Sequence, residues 1–242
     1  MPSHTFGGNV GREILNFKGV DKGKTGFILS SGPSLKLLEG HRAELLRSGA
    51  PVIACNEAAL EFPQAKYACT ADSTIYKYMY NIQFQGKGTL IPHIFTVCRP
   101  SDEDSQATVW LDIESGYADE KYPNGRFSTD VNEKIYNIDS PVYLALQLAF
   151  YFGWEKVYIL GADYCFDPEN GDTHYWGWKR NYVSELKMDE QLANSASTFI
   201  SKLSQLLGLG YRIYSCSPYS KLNIALRYVP IRDAVETEPF YE

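Results

Sequence analysis

The segment GADYCFDPENGDTHYWGWKRN, at residues 161–181, carries the densest chemistry in the chain. It combines a histidine, carboxylates, aromatic rings and a Lys-Arg pair, and it follows the apolar run VYIL at 157–160. Histidine titrates near neutral pH and can therefore take a proton from a hydroxyl group. Its position after an expected strand makes His174 a candidate general base. A histidine that is only solvated in a loop explains the same pattern, so that alternative stays open.

Polar residues also follow the other apolar runs. SGPSL, at residues 31–35, is a glycine turn before an expected helix, where backbone N–H groups and the helix dipole suit a phosphate. It matches neither GxGxxG nor a P-loop, and a plain turn capped by Ser34 is the alternative. Other candidates follow the next two strands or precede an apolar helix, and each of them either contacts a sugar or base or caps a helix. They are Asn56, Asp72, Asn137, Asp139 and Ser140.

The elements that must position these residues follow from the hydrophobic pattern. Strands are predicted at 25–30, 51–55, 66–70, 157–160 and 211–216, with one or two short ones in TLIP and IFTV at 89–97. Helices are predicted at 35–47, between the second and third strands, around 74–80, and at 140–153, 184–207 and 222–228.

Strands that alternate with helices indicate βαβ units. We therefore predict an α/β, Rossmann-like fold with a mainly parallel sheet and helices on both faces. Ligands of such sheets bind beyond the carboxyl ends of the strands. We therefore expect five strand-end motifs to lie at this edge: SSGPS, ACNE, CTADS, GADYC and SCSPYS. The 242 residues suit a single domain, in which the acid-, glycine- and proline-containing segment 99–135 is predicted to be an irregular insertion or lid.

Charge and composition narrow the classes of partner. The net charge is −6 and no basic run is present, which argues against nucleic acid. The five scattered cysteines, without a CxxC pair, favour a reducing compartment. No signal peptide and no apolar stretch of about 20 residues is seen, so we expect a cytoplasmic chain without a membrane span.

Metal binding finds little support in the residue spacing. His4, His41 and His93 do not cluster with His174, so a zinc site is not indicated. DPENGD, at residues 167–172, lacks the alternating acids of a calcium-binding EF-hand loop.

Five motifs occur in a characteristic order: GFILSSGPSL, ACNEA, DSPVYLALQLAFYFGWEKVYILGADYC, DTHYWG and RIYSCSPYS. This order resembles that of bacterial family-42 sialyltransferases, which are Rossmann-like, metal-independent enzymes that use CMP-sialic acid. It is also similar to flagellin-modifying motility accessory factors and to archaeal MptE-like 6-hydroxymethylpterin diphosphokinase domains. The resemblance covers about residues 25–74 and 137–220 and leaves the segment 99–135 unmatched.

The resemblance implies roles for particular residues. His174 would be the general base, and Tyr164 would contact the donor phosphate. The implied donor site comprises Ser31, Gly32, Pro33, Ser34, Asn56, Asp72, Ser140 and Asp163. Three positions depart from the sialyltransferase pattern, since Ser31, Asn137 and Pro141 stand where those enzymes have asparagine, arginine and glycine.

These observations lead to one main functional hypothesis and two alternatives. The main one is a glycosyltransferase that transfers a sugar from a nucleotide-sugar donor, CMP-linked, to a hydroxyl acceptor, without a cofactor. The first alternative is an MptE-like diphosphokinase that needs Mg²⁺, with Asp72 and Asp163 as the available acids. The second is a non-catalytic nucleotide-binding module. A homo-oligomer is compatible with each of them.

Overall fold

The computed structural model describes residues 14–77, 93–97, 108–166, 168–169, 171–176 and 182–236. Its strands are β1 (Thr25–Leu29), β2 (Val52–Cys55), β3 (Tyr67–Thr70), β4 (His93–Thr96), β5 (Thr108–Trp110), β6 (Ile113–Ser115), β7 (Ile135–Asn137), β8 (Lys156–Leu160), β9 (Arg212–Ser215) and β10 (Arg227–Tyr228). Its α-helices are α1 (Arg42–Arg47), α2 (Ala58–Glu61), α3 (Pro141–Tyr151), α4 (Tyr182–Gly208) and α5 (Ile231–Glu236). Two 3-10 helices span Pro33–His41 and Lys221–Ile224.

Eight strands form one sheet in the order β10-β9-β8-β1-β2-β3-β4-β5, and every neighbouring pair is parallel. The predicted α/β, Rossmann-like fold is therefore confirmed. The strand order runs outward in both directions from β1, since β2 lies on one side of it and β8 on the other. This change of direction is the topological switch point, and ligands of such sheets bind beyond the carboxyl ends of the strands at this point.

Side chains of β1 alternate between two buried clusters. Phe27 and Leu29 belong to one cluster, whereas Ile28 belongs to the other. Helices α3 and α4 cover the face of Ile28, and α1, α2, α5 and the first 3-10 helix cover the face of Phe27. Because both faces are covered, the central strands are mainly apolar, and runs of polar residues begin where the strands end.

The helix α3 is buried on nearly all sides. Its apolar sequence PVYLALQLAFY packs between the sheet and the remainder of the core, as expected for an apolar helix of 11 residues. None of the helices in the described ranges is both long enough and apolar enough to cross a bilayer.

The predicted helix at 35–47 is wrong as a single element. A 3-10 helix ends at His41, and α1 begins at Arg42. The backbone of His41, with φ −130° and ψ 8°, leaves the helical region, and Gly40 before it is a weak helix former. The amphipathic spacing predicts helical structure in both parts, but it contains no sign of the break between them.

The prediction of a helix at 222–228 is also wrong over its second half. A 3-10 helix ends at Ile224, and β10 then pairs with β9 through Arg227 and Tyr214. This pairing at the sheet edge decides the conformation of a short segment whose own preference is weak. The helix α5 that follows was not predicted.

The segment 99–135 is more regular than expected where it is described. Residues 108–110 add β5 to the edge of the main sheet, and β6 pairs with β7 in a small parallel sheet of its own. Residues 99–107 and the predicted strand TLIP at 89–92 lie outside the described ranges. The helix predicted around 74–80 is described only as far as residue 77, and residues 73–77 are helical.

Candidate functional site

A cavity of about 260 Å³ opens at the switch point, beyond the carboxyl ends of β1 and β8. The lining comes from the turn after β1, the residue after β2, the approach to α3, the loop after β8 and two residues of α4. Its described lining is Ser30, Ser31, Gly32, Asn56, Asp139, Ser140, Pro141, Val142, Gly161, Ala162, Asp163, Tyr164, Cys165, Thr173, His174, Leu192 and Ser195. None of the described residues in 108–135 lines the cavity, whereas Leu192 and Ser195 of α4 do.

Most residues that the sequence assigned to a site lie together here. The cavity is lined by Ser31, Gly32, Asn56, Ser140, Asp163, Tyr164 and His174. Pro33 and Ser34 are buried directly behind the turn that carries Gly32. These residues come from four separate loops, and the parallel sheet brings them to one edge.

Asp72 is not part of this group. Its carboxylate accepts hydrogen bonds from the backbone N–H groups of Thr74, at 2.7 Å, and Ile75, at 3.1 Å. It therefore caps the helical residues 73–77, which is the common role of aspartate at such a position. The assignment of Asp72 to the donor site does not fit this geometry, and the capping alternative does.

The turns after β1 and β8 touch through two glycines. The N–H of Gly32 donates to the carbonyl oxygen of Gly161 at 2.8 Å. A Cβ on Gly32 would lie 2.4 Å from that oxygen, and a Cβ on Gly161 would lie 2.0 Å from the carbonyl oxygen of Ser30. Gly161 also has a φ of +79°, which side chains disfavour. Both glycines are therefore required by close backbone approach.

Beneath the glycines, Asp163 is bound by a buried network. One carboxylate oxygen accepts from the Ser34 N–H at 2.8 Å, and the other accepts from the Ser34 hydroxyl at 2.7 Å. Since Ser34 has a single hydroxyl proton, the Ser217 hydroxyl, 2.7 Å away, must donate to Ser34. The N–H of Gly161 is shared between the two serine oxygens, at 3.1 Å each.

This network changes the expected role of the SGPSL turn. The N–H groups of Gly32, Ser34 and Leu35 already have acceptors, and Pro33 has no N–H. The anion position at the start of this 3-10 helix is thus held by the carboxylate of Asp163. A phosphate on these amides would have to displace a buried aspartate, so the predicted phosphate seat does not fit at this turn.

Replacement of Asp163 tests the network. In Asp163→Ala the buried Ser34 N–H loses its acceptor, and we expect the free energy of unfolding to fall by about 2–3 kcal/mol. The free energy of unfolding should fall less in Asp163→Asn, because the amide oxygen of asparagine can still accept a hydrogen bond from that N–H. Urea unfolding followed by circular dichroism measures both values. Equal stability of the alanine variant and the unsubstituted chain would contradict this account.

The N-terminus of α3 is the open helix end in the cavity. Ser140 occupies the capping position, but its side chain makes no cap hydrogen bond; its hydroxyl instead bonds to the hydroxyl of Tyr164. Pro141 and Val142, in the first turn of α3, also line the cavity. The first turn contains no acidic residue, so the positive end of the helix dipole is available to a negative group in the ligand.

Three non-glycine residues with positive φ meet at this cavity. In the described part of the chain these are Asn56 (51°), Asp139 (55°) and Tyr164 (52°), and all three are lining residues. Asparagine and aspartate tolerate this conformation, whereas for tyrosine it is an outlier. Strained residues of this kind persist when surrounding contacts hold them, and they cluster at functional sites.

Each strained residue is held by a specific bond. The side-chain oxygen of Asn56 accepts from the Thr70 hydroxyl at 2.9 Å, and the Tyr117 hydroxyl donates to Asp139 at 3.0 Å. The hydroxyl pair with Ser140 fixes Tyr164. Burial raises the pKa of Tyr164, so its phenol keeps its proton at neutral pH and can donate to an oxygen of a ligand.

His174 also lines the cavity. Its Nδ1 is 2.9 Å from the Thr173 hydroxyl, and its ring is tilted over the half-exposed ring of Trp176, with centroids 4.4 Å apart. Burial lowers the pKa of His174, and the nearby carboxylate of Glu57 partly opposes this effect. The ring is therefore neutral at pH 7, which is the form that accepts a proton.

Two residues near the site were given no role from the sequence. Gly161 follows VYIL and lines the cavity, and Ser217 lies behind it in the hydrogen-bond network of Asp163, although both belong to the strand-end motifs GADYC and SCSPYS. Asp139, which the sequence left open as a contact or a cap, lines the cavity. The described lining carries the carboxylates of Asp139 and Asp163 and no lysine or arginine. Lys179 and Arg180 fall outside the described ranges.

The chain was compared with protein-family models, with curated proteins and with solved structures, and none of the three comparisons gave a match. Assignment of a function therefore depends on the chemistry of the cavity, with the resemblance in motif order as an expectation beside it.

Proposed function

We propose that the chain is a glycosyltransferase that uses a nucleotide-sugar donor, CMP-linked, and transfers the sugar directly to a hydroxyl acceptor. The observation that carries the proposal is the convergence, in one switch-point cavity, of a neutral histidine, a protonated tyrosine and an uncapped helix N-terminus. The order of the sequence motifs, which resembles that of family-42 sialyltransferases, supports the same reaction class.

The step needs a base, an electrophile and a place for the leaving group. His174 takes the proton of the acceptor hydroxyl, whose oxygen forms a bond to the anomeric carbon. The bond from that carbon to the phosphate oxygen breaks, and its electron pair leaves with the nucleotide monophosphate. The Tyr164 hydroxyl and the N-terminus of α3 stabilise the charge of that phosphate.

Contacts to the rest of the donor come from Asn56 and the turn after β1. The side-chain oxygen of Asn56 is engaged with Thr70, and its amide nitrogen makes no hydrogen bond to a described residue. That nitrogen is available to a sugar hydroxyl or a base carbonyl. Ser31 and Gly32 of the turn after β1 line the same cavity, and the space that a Gly32 side chain would take is filled by the carbonyl oxygen of Gly161 and the carboxylate of Asp163.

The diphosphokinase alternative is less well supported by the same residues. Its Mg²⁺ would require free carboxylates, and the two acids available to it are Asp72 and Asp163. Asp72 caps a helix, and both oxygens of Asp163 accept hydrogen bonds from Ser34. This donor set does not fit a magnesium ion held by those two acids.

A thermal-shift panel tests the proposal with CMP, CDP, UDP, GDP, ATP and ATP with Mg²⁺. A nucleotide at a hundred times its Kd stabilises the native state by about 2.7 kcal/mol. For a chain of this size that corresponds to a rise in Tm of roughly 5–10 °C. We expect this rise with CMP in the absence of metal, and release of CMP from CMP-sialic acid.

The other results separate the alternatives. Stabilisation only by ATP with Mg²⁺ would favour the diphosphokinase over the glycosyltransferase. Stabilisation by CMP without turnover of any CMP-sugar would favour a binding module. No shift with any nucleotide would contradict the proposed function.

A further inference from the structure

We infer that Glu57 is a positioning residue for His174, held in place by Ser31, and that its carboxylate balances the charge that His174 acquires with the acceptor's proton. The inference rests on the proposed function for its catalytic meaning. Its physical content, a charged pair between two loops, can be measured separately.

Ser31 connects the two loops. Its hydroxyl lies 3.1 Å from a carboxylate oxygen of Glu57, to which it donates, and 3.4 Å from the carbonyl oxygen of Cys55. Its own carbonyl oxygen accepts from the N–H of Tyr175, the neighbour of His174, at 3.0 Å. One buried serine therefore fixes both the carboxylate and the backbone next to the histidine.

The carboxylate of Glu57 has no structural use in its own helix. Glu57 precedes α2 at the capping position, with φ −65°, and its side chain makes no cap hydrogen bond. It forms no ion pair with a lysine or arginine in the part of the chain that the structure describes. A half-buried carboxylate without a cation faces the loop whose ring gains a positive charge during the reaction.

Other acids near the cavity are engaged elsewhere. Glu61, one turn after Glu57, hydrogen-bonds the Tyr175 side chain. The remaining acids have partners of their own: Lys36 is 3.8 Å from Asp172, Tyr117 donates to Asp139, and Ser34 donates to Asp163. Tyr164 and Cys165 complete the titratable lining. Among these groups, Glu57 is the one whose charge raises the pKa of His174, against the larger lowering by burial.

The consequence for the reaction is electrostatic. At rest, His174 is neutral because burial disfavours the imidazolium. When the acceptor hydroxyl transfers its proton to His174, the new positive charge lies in a partly desolvated site near a fixed negative charge. Glu57 neither gains nor loses a proton in this step. Ser31 stands where the resembled enzymes have asparagine, and in this chain its hydroxyl makes an internal contact with Glu57.

The test is the pH titration of the His174 Hε1 signal by ¹H–¹³C NMR, assigned through its loss in His174→Gln. In Glu57→Gln we expect the titration midpoint to move to lower pH. Glu61→Gln removes the same charge from the same helix and should leave the midpoint nearly unchanged. An unchanged midpoint in Glu57→Gln, or equal shifts in both variants, would overturn the inference.

Ser31→Ala provides a second variant, in case Glu57→Gln does not fold. It retains the carboxylate but removes the hydroxyl that holds it, so the midpoint should move in the same direction by less; no movement would overturn the inference. Titration and nucleotide binding can fail independently. If the chain binds CMP but Glu57→Gln does not move the titration midpoint of His174, only this inference is wrong. If the midpoint moves but no nucleotide binds, the proposed function is wrong.

Discussion

Replacement of His174 with glutamine is expected to reduce the rate of sugar transfer by about 10²–10⁴-fold. The variant loses the group that removes the acceptor's proton but retains a side chain of similar size and polarity. Binding of the nucleotide should persist, because Tyr164, Asn56 and the N-terminus of α3 are unchanged. The measurement is CMP release from CMP-sialic acid, with water or an added hydroxyl acceptor, beside the thermal shift by CMP.

His41→Gln is the matched control, since His41 lies in the 3-10 helix after β1 and does not line the cavity. It should transfer sugar at the rate of the unsubstituted chain. A His174→Gln variant that retains more than a tenth of the rate would contradict the assignment of the base. Loss of CMP binding in that variant would instead assign His174 to the donor.

The pH dependence follows from the direction of the pKa shift. Because burial lowers the pKa of His174, the transfer rate should rise with pH through a midpoint below about 6.5 and be level at neutral pH. The unfolded chain binds this proton at higher pH than the folded chain. The stability that His174 contributes is therefore fully present above about pH 6.5, and it is lost as the pH falls through the pKa of His174 in the folded chain. His174→Gln should weaken that acid dependence.

The second large effect is expected for Gly161→Ala. A methyl group there would lie 2.0 Å from the carbonyl oxygen of Ser30, and neither backbone can move without parting β1 from β8. The alanine must also adopt a φ of +79°. Together the left-handed conformation and the clash should lower the free energy of unfolding by about 4 kcal/mol. For a chain of this size, Tm would fall by roughly 8–16 °C.

Gly171→Ala separates the two contributions. Gly171 has a φ of +75°, and no atom of a described residue lies within 4 Å of the position that a Cβ would take there, so the expected cost is conformational. It should lower the stability by about 1–2 kcal/mol. Differential scanning fluorimetry and urea unfolding give both values. Similar losses in the two variants would show that the contact between the β1 and β8 turns is looser than described.

Much of the fold could be predicted from the sequence because hydrophobic spacing and strand-end chemistry agree. The run VYIL was expected to be a strand and forms most of β8, and the apolar segment before it forms α3 with Pro141 in its first turn. Parallel strands place their carboxyl ends on one edge. Side chains as distant in sequence as Ser31 and His174 therefore could be expected in one site, and both line the cavity.

Other features depend on contacts that no local pattern contains. The sequence gives no sign that the backbone N–H groups of the SGPSL turn have an acceptor. Asp163 supplies one only because the fold places it next to that turn. The same holds for the left-handed backbone of Tyr164, because tyrosine carries no signal for it. Short edge strands such as β5 and β10 form because a partner strand lies beside them. In each case the deciding interaction joins residues beyond the reach of a local sequence pattern.

The pairing of β1 with β8 has a consequence for the order of folding. Thr25 is registered with Lys156, far along the chain, and residues that follow each of the two strands line the cavity. Contacts of such high sequence separation form slowly, since a long loop must close before they are made. During synthesis on the ribosome, β1 can pair with β2 early but keeps an open edge until β8 has emerged. Nascent chains that lack β8 are thus the species most exposed to mispairing, and the cavity is complete only when that edge closes.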